Sequence, residues 1–341
     1  MSTATLPEAK RQKMHKTIGT HNGTFHCDEA LAVFLLRQTA TYRDAALKRS
    51  RDPAVLDSCD IVVDVGAVYD EAKQRFDHHQ RGFTEVFGHG FQTKLSSAGL
   101  IYKHFGQEVI SNKTQLPVTD PKVEVLWLKL YREFIEAIDG IDNGVSQYPS
   151  DLKPKYRSRT DLSSRVGSLN PWWNQSTDAH IVDAQFEKAS QLTGEELLGK
   201  LDYYANAWLP ARDLLIGSVA SSKASVDASG KIILFEQFLP WKEHLFELEA
   251  DANSGVEANQ AIYIVYPDET GGNWRIQAVP VSPESFESRK ALPEAWRGLR
   301  DGELSKASGI DGGIFIHASG FIGGNKTKEG ALKIAQAALA M

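Results

Sequence analysis

The chain has 341 residues, which is long enough for two domains, and its 42% hydrophobic and 24% charged residues are typical of a folded globular protein. A net charge of −6 excludes a generally basic nucleic-acid coat protein, although a metal ion or a locally basic cleft would still permit a nucleic-acid substrate. The two cysteines, Cys27 and Cys59, exclude a disulfide framework and a four-cysteine zinc site, and no apolar run approaches the roughly 20 residues that span a bilayer.

The N-terminal segment is basic, with Lys10, Arg11, Lys13 and Lys16 against a single Glu8. It lacks the apolar core of a secretory signal, so secretion is not expected. A frayed basic terminus is favoured over an organelle transit segment. The scarcity of cysteine predicts a reducing compartment, and the lack of a long apolar run predicts no membrane role.

The N-terminal part of the chain alternates predicted strands and helices. Thr17–Thr20 leads into a polar loop, and Glu29–Gln38 is predicted to form a largely buried helix because apolar residues fill most of its positions. Asp60–Val65 contains the short apolar run of a buried strand. Such a strand would carry Asp64 to its carboxyl end, which is where parallel sheets place functional side chains.

A second strong helix is predicted at Pro121–Ile138, with proline near its start and apolar residues along one side. The glycines Gly140 and Gly144 are expected to stop it. Asp139 and Asp142 would then lie in the turn that follows.

The C-terminal part changes character. Residues 145–175 are predicted to form an ordered loop or connection, and strands dominate after the next two helices. The predicted elements are helices at Asp178–Gln191 and Glu195–Ser221, strands at Ile232–Phe235, Ala261–Tyr266, Trp274–Val281 and Gly313–Ala318, a turn at Gly271-Gly272-Asn273, a glycine-rich turn after Gly313–Ala318, and a final helix from about Thr327. The fold class is therefore α/β with two domains: a parallel-sheet domain at 17–145 with a helical extension and connection at 146–225, and a smaller mixed α/β domain at 226–341.

Four short segments place histidines and aspartates at predicted strand ends or helix ends. The candidates are His21, His26 and Asp28; then Asp64; then Asp77, His78 and His79; and finally Asp139 and Asp142. Four of the ten histidines lie in these segments, which favours a common site. Mg²⁺ and Mn²⁺ prefer such oxygen ligands, and Mn²⁺ also accepts imidazole. Two such ions can clamp a phosphoryl group and activate a water.

Each candidate has a structural alternative when it is taken singly. Asp28 could cap the following helix, Asp64 could be a turn residue before Gly66, and Asp142 could belong to a simple turn. Adjacent histidines after Asp77 have little structural use. The four segments together therefore favour a phosphoesterase-type metal site.

Two strings carry a family resemblance. Gly19–Ala32 (GTHNGTFHCDEALA) and Phe315–Thr327 (FIHASGFIGGNKT) resemble the Myg (melanocyte-proliferation-gene) exonuclease family, and the four polar segments resemble the motifs of the DHH phosphoesterase superfamily. The similarity runs from about residue 17 to the C-terminus. It implies an N-terminal catalytic DHH-type domain and a C-terminal substrate-binding domain.

The resemblance also implies roles for individual residues. The metal ligands would be His21, His26, Asp28, Asp64, His78 and Asp142, with Asp139 as the alternative to Asp142. Asp64 would bridge two ions, His79 would face the substrate phosphate, and Asp77 would orient its neighbours. The first motif departs from the common pattern, because His26 replaces an aspartate and the spacing is one residue longer. An additional imidazole favours Mn²⁺ over Mg²⁺.

The glycine-rich segment near the C-terminus is a candidate phosphate-binding loop, because glycines let backbone N–H groups approach an anion at a helix N-terminus. The candidates are His317, Ser319, Gly323, Gly324, Asn325 and Lys326, with Arg289 and, less specifically, Lys290, Arg297 and Arg300. Trp172, Trp173, Trp296 and Phe321 are possible base-stacking residues, although core packing is favoured for any single one. The segment is not a Walker P-loop.

The leading hypothesis is a Mn²⁺- or Mg²⁺-dependent phosphodiesterase, a 3′–5′ RNA exonuclease or oligoribonuclease, with single-stranded RNA or a short oligonucleotide as its partner. Alternatives are a small-molecule phosphohydrolase of the pyrophosphatase or cyclic-dinucleotide type and a non-catalytic metal- or nucleotide-binding scaffold. The resemblance implies an intracellular location, in the cytoplasm, nucleus or mitochondrion. RNA versus DNA preference, the physiological metal and the oligomeric state stay open.

Overall fold

A computed structural model of the chain describes residues 15–149, 151–252, 254–269 and 272–341. Lys10, Arg11 and Lys13 of the predicted basic terminus, and Gly271 of one predicted turn, lie outside the described residues. The chain divides into two compact units, of which the first ends at Ala205 and the second begins at Asn206. Across the described ranges, the structure contains no helix with the length and apolar character to span a membrane.

The first unit contains a five-stranded sheet with the strand order β2-β1-β3-β5-β4. Its strands are β1 (Thr17–Thr20), β2 (Ala46–Arg49), β3 (Ile61–Val63), β4 (Tyr69–Asp70) and β5 (Arg75–Phe76). The first, second, third and fifth strands pair in parallel, and β4 adds an antiparallel edge. A separate hairpin consists of β6 (Val86–Gly88) and β7 (Phe91–Lys94). The predicted parallel sheet is confirmed.

The described residues of this unit form seven helices: α1 (Cys27–Arg37), α2 (Pro53–Asp57), α3 (Ser97–Thr114), α4 (Pro121–Leu130), α5 (Glu136–Asp142), α6 (Leu162–Gly167) and α7 (Ala179–Tyr203). A 3₁₀ turn covers Glu71–Lys73, and a π-helical turn, Tyr131–Ile135, joins α4 to α5. Helix α1 is buried along nearly its whole length between α3 and α7, as its apolar composition predicts.

Several helix boundaries differ from the prediction. Helix α1 begins two residues earlier, and its N-cap is His26 rather than Asp28. The helix predicted to stop before Gly140 continues to Asp142, so Gly140 does not end it. Helix α7 also runs without a break where two helices were predicted. The glycine in the predicted break, Gly194, stays helical and serves packing instead. A Cβ there would come within 2.2 Å of the Phe34 ring, so glycine allows α7 to pack closely on α1.

The second unit has a five-stranded sheet with the strand order β11-β12-β10-β9-β8. Its strands are β8 (Ile232–Leu234), β9 (Tyr263–Pro267), β10 (Trp274–Ala278), β11 (Gly313–Ile316) and β12 (Ile322–Asn325). Its helices are α8 (Leu209–Ser225), which follows a π-helical turn at Tyr204–Trp208, α9 (Trp241–Ala250), α10 (Asp301–Ser308) and α11 (Lys328–Ala340), with a 3₁₀ turn at Glu294–Trp296. Only β8 and β9 pair in parallel within the described part of this sheet. The predicted mixed α/β class is confirmed.

The glycine-rich segment is a strand rather than the predicted turn. Residues Ile322–Asn325 form β12, which lies between β11 and β10, and the turn consists of the preceding residues 317–321. A Cβ on Gly323 would come within 2.3 Å of Ile316 Cδ1 and 3.1 Å of the Phe315 carbonyl oxygen. The absence of a side chain at Gly323 therefore serves close packing inside this unit.

Candidate metal centre

Three neighbouring parallel strands deliver polar residues to one edge of the first sheet. His21 directly follows β1, Asp64 follows β3, and Asp77 follows β5. Carboxyl ends of adjacent parallel strands meet at the same edge, so these side chains converge. Helix α1 begins at this edge and adds its first-turn carboxylates, and the end of α5 adds Asp142.

One group of contacts surrounds His21. Its Nε2 lies 3.0 Å from Glu29 Oε1 and 3.3 Å from Asp64 Oδ2. Glu29 also accepts a hydrogen bond of 2.8 Å from the backbone N–H of His26, so it contacts both histidines of this segment. Glu29 was missed in the sequence analysis. Its signal was its position three residues after His26, where a glutamate can bond back to the N-cap backbone.

A second group surrounds His78. Its Nε2 lies 3.2 Å from Asp64 Oδ1 and 3.2 Å from Asp142 Oδ2, and its Nδ1 lies 3.3 Å from the side-chain oxygen of Asn143. Asp64 thus contacts both His21 and His78 through different oxygens. Such a shared carboxylate is what a bridging ligand requires.

Asp77 organises the backbone around the two adjacent histidines. Its Oδ1 accepts hydrogen bonds from the N–H groups of His78 and His79 at 2.8 and 3.2 Å, and its Oδ2 accepts one from Ala67 at 2.5 Å. The same Oδ1 lies 2.7 Å from His79 Nδ1. The His79 side chain is 61% exposed, in contrast to that of His78, so Asp77 presents one imidazole at the surface of the site.

The central residues are close enough to share metal ions. In three sets, one possible ligand atom from each residue lies within 4.8 Å of the others: His21, His26, Glu29 and Asp64; Asp64, Asp77, His78 and His79; and Asp28, His78 and Asp142. Every predicted metal ligand except Asp139 belongs to one of these sets. Whether they bind an ion stays a prediction that their geometry supports.

Three buried atoms in this cluster have no hydrogen-bond partner among the described residues. They are Asp28 Oδ1, Asp64 Oδ1 and His78 Nε2. The last two lie 3.2 Å apart as an ion pair, so Asp28 Oδ1 is the one of the three that has neither a hydrogen bond nor an ion pair among the described residues. The other Asp28 oxygen accepts a hydrogen bond of 2.8 Å from Ser97 Oγ, which fixes the carboxylate. Buried polar atoms are normally paired, because leaving them unpaired costs about 1–3 kcal/mol each. Carboxylate oxygens and imidazole nitrogens that lack hydrogen bonds and converge on one point fit a divalent cation.

The electrostatics of the cluster indicate an excess of negative charge. Burial lowers the pKa of His21, but hydrogen bonds to Asp64 and Glu29 outweigh it and raise that pKa to about 10. The pKa of His78 likewise rises to about 10, because Asp142 and Asp64 outweigh the opposing effect of burial. Burial raises the pKa of Asp28, and the nearby Asp142 raises it further. A cluster that attracts protons this strongly also favours a metal cation.

The backbone of Asp64 lies in the left-handed region, with φ of 59°. Aspartate tolerates this conformation better than most residues, yet it carries a conformational cost. The cluster opens into a cavity of about 930 Å³. Its lining includes Phe25, Arg51, Lys94, Ser163 and Gly167 beside the cluster. The carboxylates therefore face space large enough for part of a nucleotide.

Asp139 has a different environment from Asp142. It is fully buried, and its carboxylate accepts hydrogen bonds from Ser96 and Gly99 backbone N–H groups, Ser96 Oγ and Tyr131 Oη. Burial raises its pKa to about 7 despite these donors. Asp139 therefore stabilises the α3–α5 packing, and the geometry favours Asp142 as the candidate ligand.

The predicted phosphate-binding residues of the second unit mostly have internal partners. Arg289 is buried and forms an ion pair of 2.6 Å with Glu249. Asn325 is fully buried; it donates to the Asp311 carbonyl and accepts from the Thr327 N–H. A Cβ on Gly324 would come within 2.7 Å of the Arg275 guanidinium.

The exposed members of that set lie at opposite ends of β12: His317 and Ser319 in the turn before it, and Lys326 directly after it. His317 Nδ1 lies 2.9 Å from Ser319 Oγ, and Lys326 is exposed. The less specific candidates are engaged elsewhere: Lys290 bonds the Leu339 carbonyl, Arg297 bonds the Leu292 carbonyl, and Arg300 lies over the Phe315 ring. Of the four aromatic candidates, Trp296 is buried, Phe321 is 37% exposed, and Trp172 and Trp173 are 66% and 95% exposed.

Comparison with known proteins assigns the chain to a family. The family model MYG1_exonuc, described as an uncharacterised protein family (UPF0160), matches residues 17–339. The chain belongs to the MYG1 family. The MYG1 protein of Dictyostelium discoideum is 50% identical over 319 residues, covering 94% of this chain and 95% of that protein. The MYG1 exonuclease of Homo sapiens is 50% identical over 342 residues, covering 98% and 89%.

Similarity across the MYG1 family extends to fungi. The MYG1 protein YER156C of Saccharomyces cerevisiae is 45% identical over 333 residues, covering 96% of this chain and 97% of that protein. No solved structure matches the chain. Membership therefore confirms the resemblance to the Myg family, while the link to the DHH superfamily stays a prediction.

Proposed function

We propose that this chain is a metal-dependent exonuclease that hydrolyses phosphodiester bonds in RNA from the 3′ end. The observation that carries the proposal is the convergence on an open cavity of buried Asp28, Asp64 and His78 atoms that form no hydrogen bond among the described residues. Relatives named MYG1 exonuclease, about 50% identical along nearly the whole chain, support a nuclease role. RNA and the 3′–5′ direction rest on the family resemblance.

Two groups of residues would hold two ions, Mn²⁺ or Mg²⁺. His21, His26 and Asp64, assisted by Glu29, would form one group; Asp28, His78 and Asp142 would form the other, with Asp64 shared. Bound divalent ions supply Lewis acidity and lower the pKa of a coordinated water. The two imidazoles of the first group favour Mn²⁺, because magnesium prefers an all-oxygen environment.

His79 would act on the substrate rather than on the metals. Asp77 holds Nδ1 of His79 and so leaves Nε2 of its exposed ring to face a phosphate oxygen. An imidazole positioned in this way can donate a proton or a hydrogen bond as negative charge develops on the phosphate. Asp77 is the positioning residue, because its carboxylate fixes the ring through one hydrogen bond and the backbone through three more.

We also propose that the first unit is a DHH-type catalytic domain and the second unit a substrate-binding domain. Motif order supports this proposal for the first unit. For the second unit, the support is reduced to the turn residues His317 and Ser319 and to Lys326, because the glycines and Arg289 have packing roles. The predicted contacts with a phosphodiester would thus come from the turn before β12 or from Lys326 after it, rather than from the glycines of β12.

One substrate panel tests the proposal. The full chain, freed of metal and then supplied with Mn²⁺, Mg²⁺ or chelator, is incubated with a single-stranded oligoribonucleotide, the matching oligodeoxyribonucleotide, pyrophosphate and a cyclic dinucleotide. With an oligoribonucleotide labelled at its 5′ end, we expect a ladder of progressively shorter labelled products and release of unlabelled mononucleotides, only with a divalent ion. Exclusive hydrolysis of pyrophosphate or the cyclic dinucleotide would instead support a small-molecule phosphohydrolase. No hydrolysis with any metal would support a binding scaffold.

A further inference from the structure

An exposed basic segment, residues 152–160, precedes α6 in the first unit. It contains Lys153, Lys155, Arg157 and Arg159, which alternate with other residues that include Tyr156, and it contains no acidic residue. All four cations are exposed. None has an ion-pair partner within the described ranges of the chain. The four cations outnumber the two flanking aspartates, Asp151 and Asp161, so the segment keeps a local positive charge that attracts polyanions although the net charge of the protein is −6.

Two exposed tryptophans follow the same helix. Trp172 is 66% exposed and Trp173 is 95% exposed, whereas Trp127, Trp208, Trp241 and Trp296 are all buried. Single exposed apolar residues are common on protein surfaces, but two adjacent indoles in solvent keep a large apolar area in water. Tyr156 in the basic segment is also 81% exposed. Exposed aromatic rings next to cations are the combination that binds single-stranded nucleic acid.

Both features are attached to the walls of the metal cavity. Ser163 and Gly167 of α6 line that cavity. Arg159 lies four residues before Ser163, so the chain cannot separate them by more than about 14 Å. The Asn170 side chain bonds the backbone N–H and carbonyl of Phe25, another lining residue, at 3.0 and 2.9 Å. Trp172 is two residues beyond Asn170, within about 7 Å of it along the chain.

We propose that residues 152–173, here called the strand-binding segment, hold a single-stranded polynucleotide beyond the phosphate that is cleaved. The cations would contact backbone phosphates, and Trp172, Trp173 and Tyr156 would stack on bases. This inference rests on the proposed nuclease function and specifies its substrate class. Substrates of several nucleotides would bind more tightly than a dinucleotide, because only the longer ones reach past the cavity.

The test uses the full chain and two variants of the segment. One carries Lys153→Gln, Lys155→Gln, Arg157→Gln and Arg159→Gln, and the other carries Trp172→Ala and Trp173→Ala. A matched control carries Arg43→Gln, Lys113→Gln, Lys188→Gln and Lys200→Gln, four exposed cations elsewhere in the first unit. Fluorescence anisotropy measures Kd for a labelled 12-nucleotide single-stranded RNA in chelator at several salt concentrations. Initial rates with Mn²⁺ give KM for the same 12-mer and for a dinucleotide.

We expect the charge variant to weaken 12-mer binding about tenfold or more and to lower the slope of log Kd against log salt by up to about 3, since each neutralised phosphate contributes about 0.7. The tryptophan variant should weaken binding about tenfold with little change in that slope. In both variants, the preference in KM for the 12-mer over the dinucleotide should shrink. The control should match the wild type.

Each other result decides one of the two proposals. If both variants weaken binding of the 12-mer in chelator but the wild type hydrolyses nothing with any metal, the nuclease function fails and the strand-binding segment stands as a binding site. Hydrolysis with unchanged Kd and KM in both variants would overturn the segment and leave the nuclease function intact. Equal weakening by the control would reduce the segment to general surface charge and overturn it. Absence of wild-type binding would overturn it as well.

Discussion

The polar segments of the first unit and the glycine-rich segment of the second differ in how many of their buried polar atoms form hydrogen bonds. Around Asp64, buried oxygen and nitrogen atoms converge on a cavity and lack hydrogen-bond partners among the described residues. Around Asn325, the side-chain atoms bond the Asp311 carbonyl and the Thr327 N–H, and the glycine at 323 is enclosed by Ile316 and Phe315. Both segments were equally distinctive in sequence.

This contrast separates a binding site from a packing solution. A folded protein usually hydrogen-bonds its buried polar groups, so buried atoms without a hydrogen bond favour a ligand site over a purely structural cluster. For a glycine, the atoms that an added Cβ would contact indicate whether close packing requires it. The polar segments around Asp64 thus have the features of a ligand site, whereas the glycines of β12 have the features of close sheet packing.

Replacing Asp64 should give the largest effect. Asp64→Ala removes the carboxylate that contacts both His21 and His78, so we expect turnover to fall roughly 1,000-fold or more, which corresponds to about 4 kcal/mol of lost charge stabilisation. Steady-state kinetics with saturating Mn²⁺ measure it. Asp57→Ala, an exposed aspartate of the same unit, is the control. Wild-type turnover in Asp64→Ala would contradict the assignment of Asp64 to a catalytic metal site.

The adjacent histidines should divide in their effects. His78→Ala removes a buried imidazole at the centre of the cluster and should reduce bound metal. His79→Ala removes the exposed imidazole, so metal should stay while kcat falls about 100-fold, as expected for loss of a general acid. Metal analysis beside kinetics distinguishes the two. Equal loss of metal from both variants would contradict the division.

A smaller contrast separates the two aspartates of α5. Asp139→Ala leaves the buried donors of Ser96, Gly99 and Tyr131 unpaired and should lower stability by about 2–4 kcal/mol, measured by denaturant unfolding in chelator. Asp142→Ala should keep stability in chelator and lose metal affinity instead. Reversed results would make Asp139 the ligand.

The smallest effects belong to the second unit. Gly323→Val forces a branched side chain against Ile316 and should lower stability by about 1–3 kcal/mol with little change in KM. Lys326→Ala, at an exposed position, should change stability by less than about 0.5 kcal/mol. Thermal melts and KM for an oligoribonucleotide measure both. A raised KM with unchanged melting in Gly323→Val would restore the phosphate-binding role of β12.

Sequence reasoning predicted what local pattern and parallel-sheet geometry determine. Asp64 was placed at a strand end from the apolar run before it, and the convergence of that edge with Asp77 follows from parallel pairing. The pattern could not show that Gly140 stays helical, because tertiary packing overrides the low helix propensity of glycine. It also could not distinguish Gly323 in a strand from glycine in a turn, since its neighbour Ile316 becomes adjacent only through β11–β12 pairing.

The remaining omissions depended on contacts distant in sequence. Arg289 was proposed for phosphate, yet Glu249 neutralises it from 40 residues away. Glu29 was overlooked because its contact with His21 exists only after the loop folds over α1. The preference for Asp142 over Asp139 was close from sequence, and the four donors around Asp139 now distinguish their environments.

Counting bound manganese tests the central claim most directly. Metal-free full-length protein is dialysed against Mn²⁺, and the bound ion is measured for the wild type, Asp64→Ala and Asp57→Ala. The two ligand groups that share Asp64 predict two ions per chain in the wild type and Asp57→Ala, and fewer than one in Asp64→Ala. Wild-type protein that binds no more manganese than Asp64→Ala would contradict a metal centre at this site.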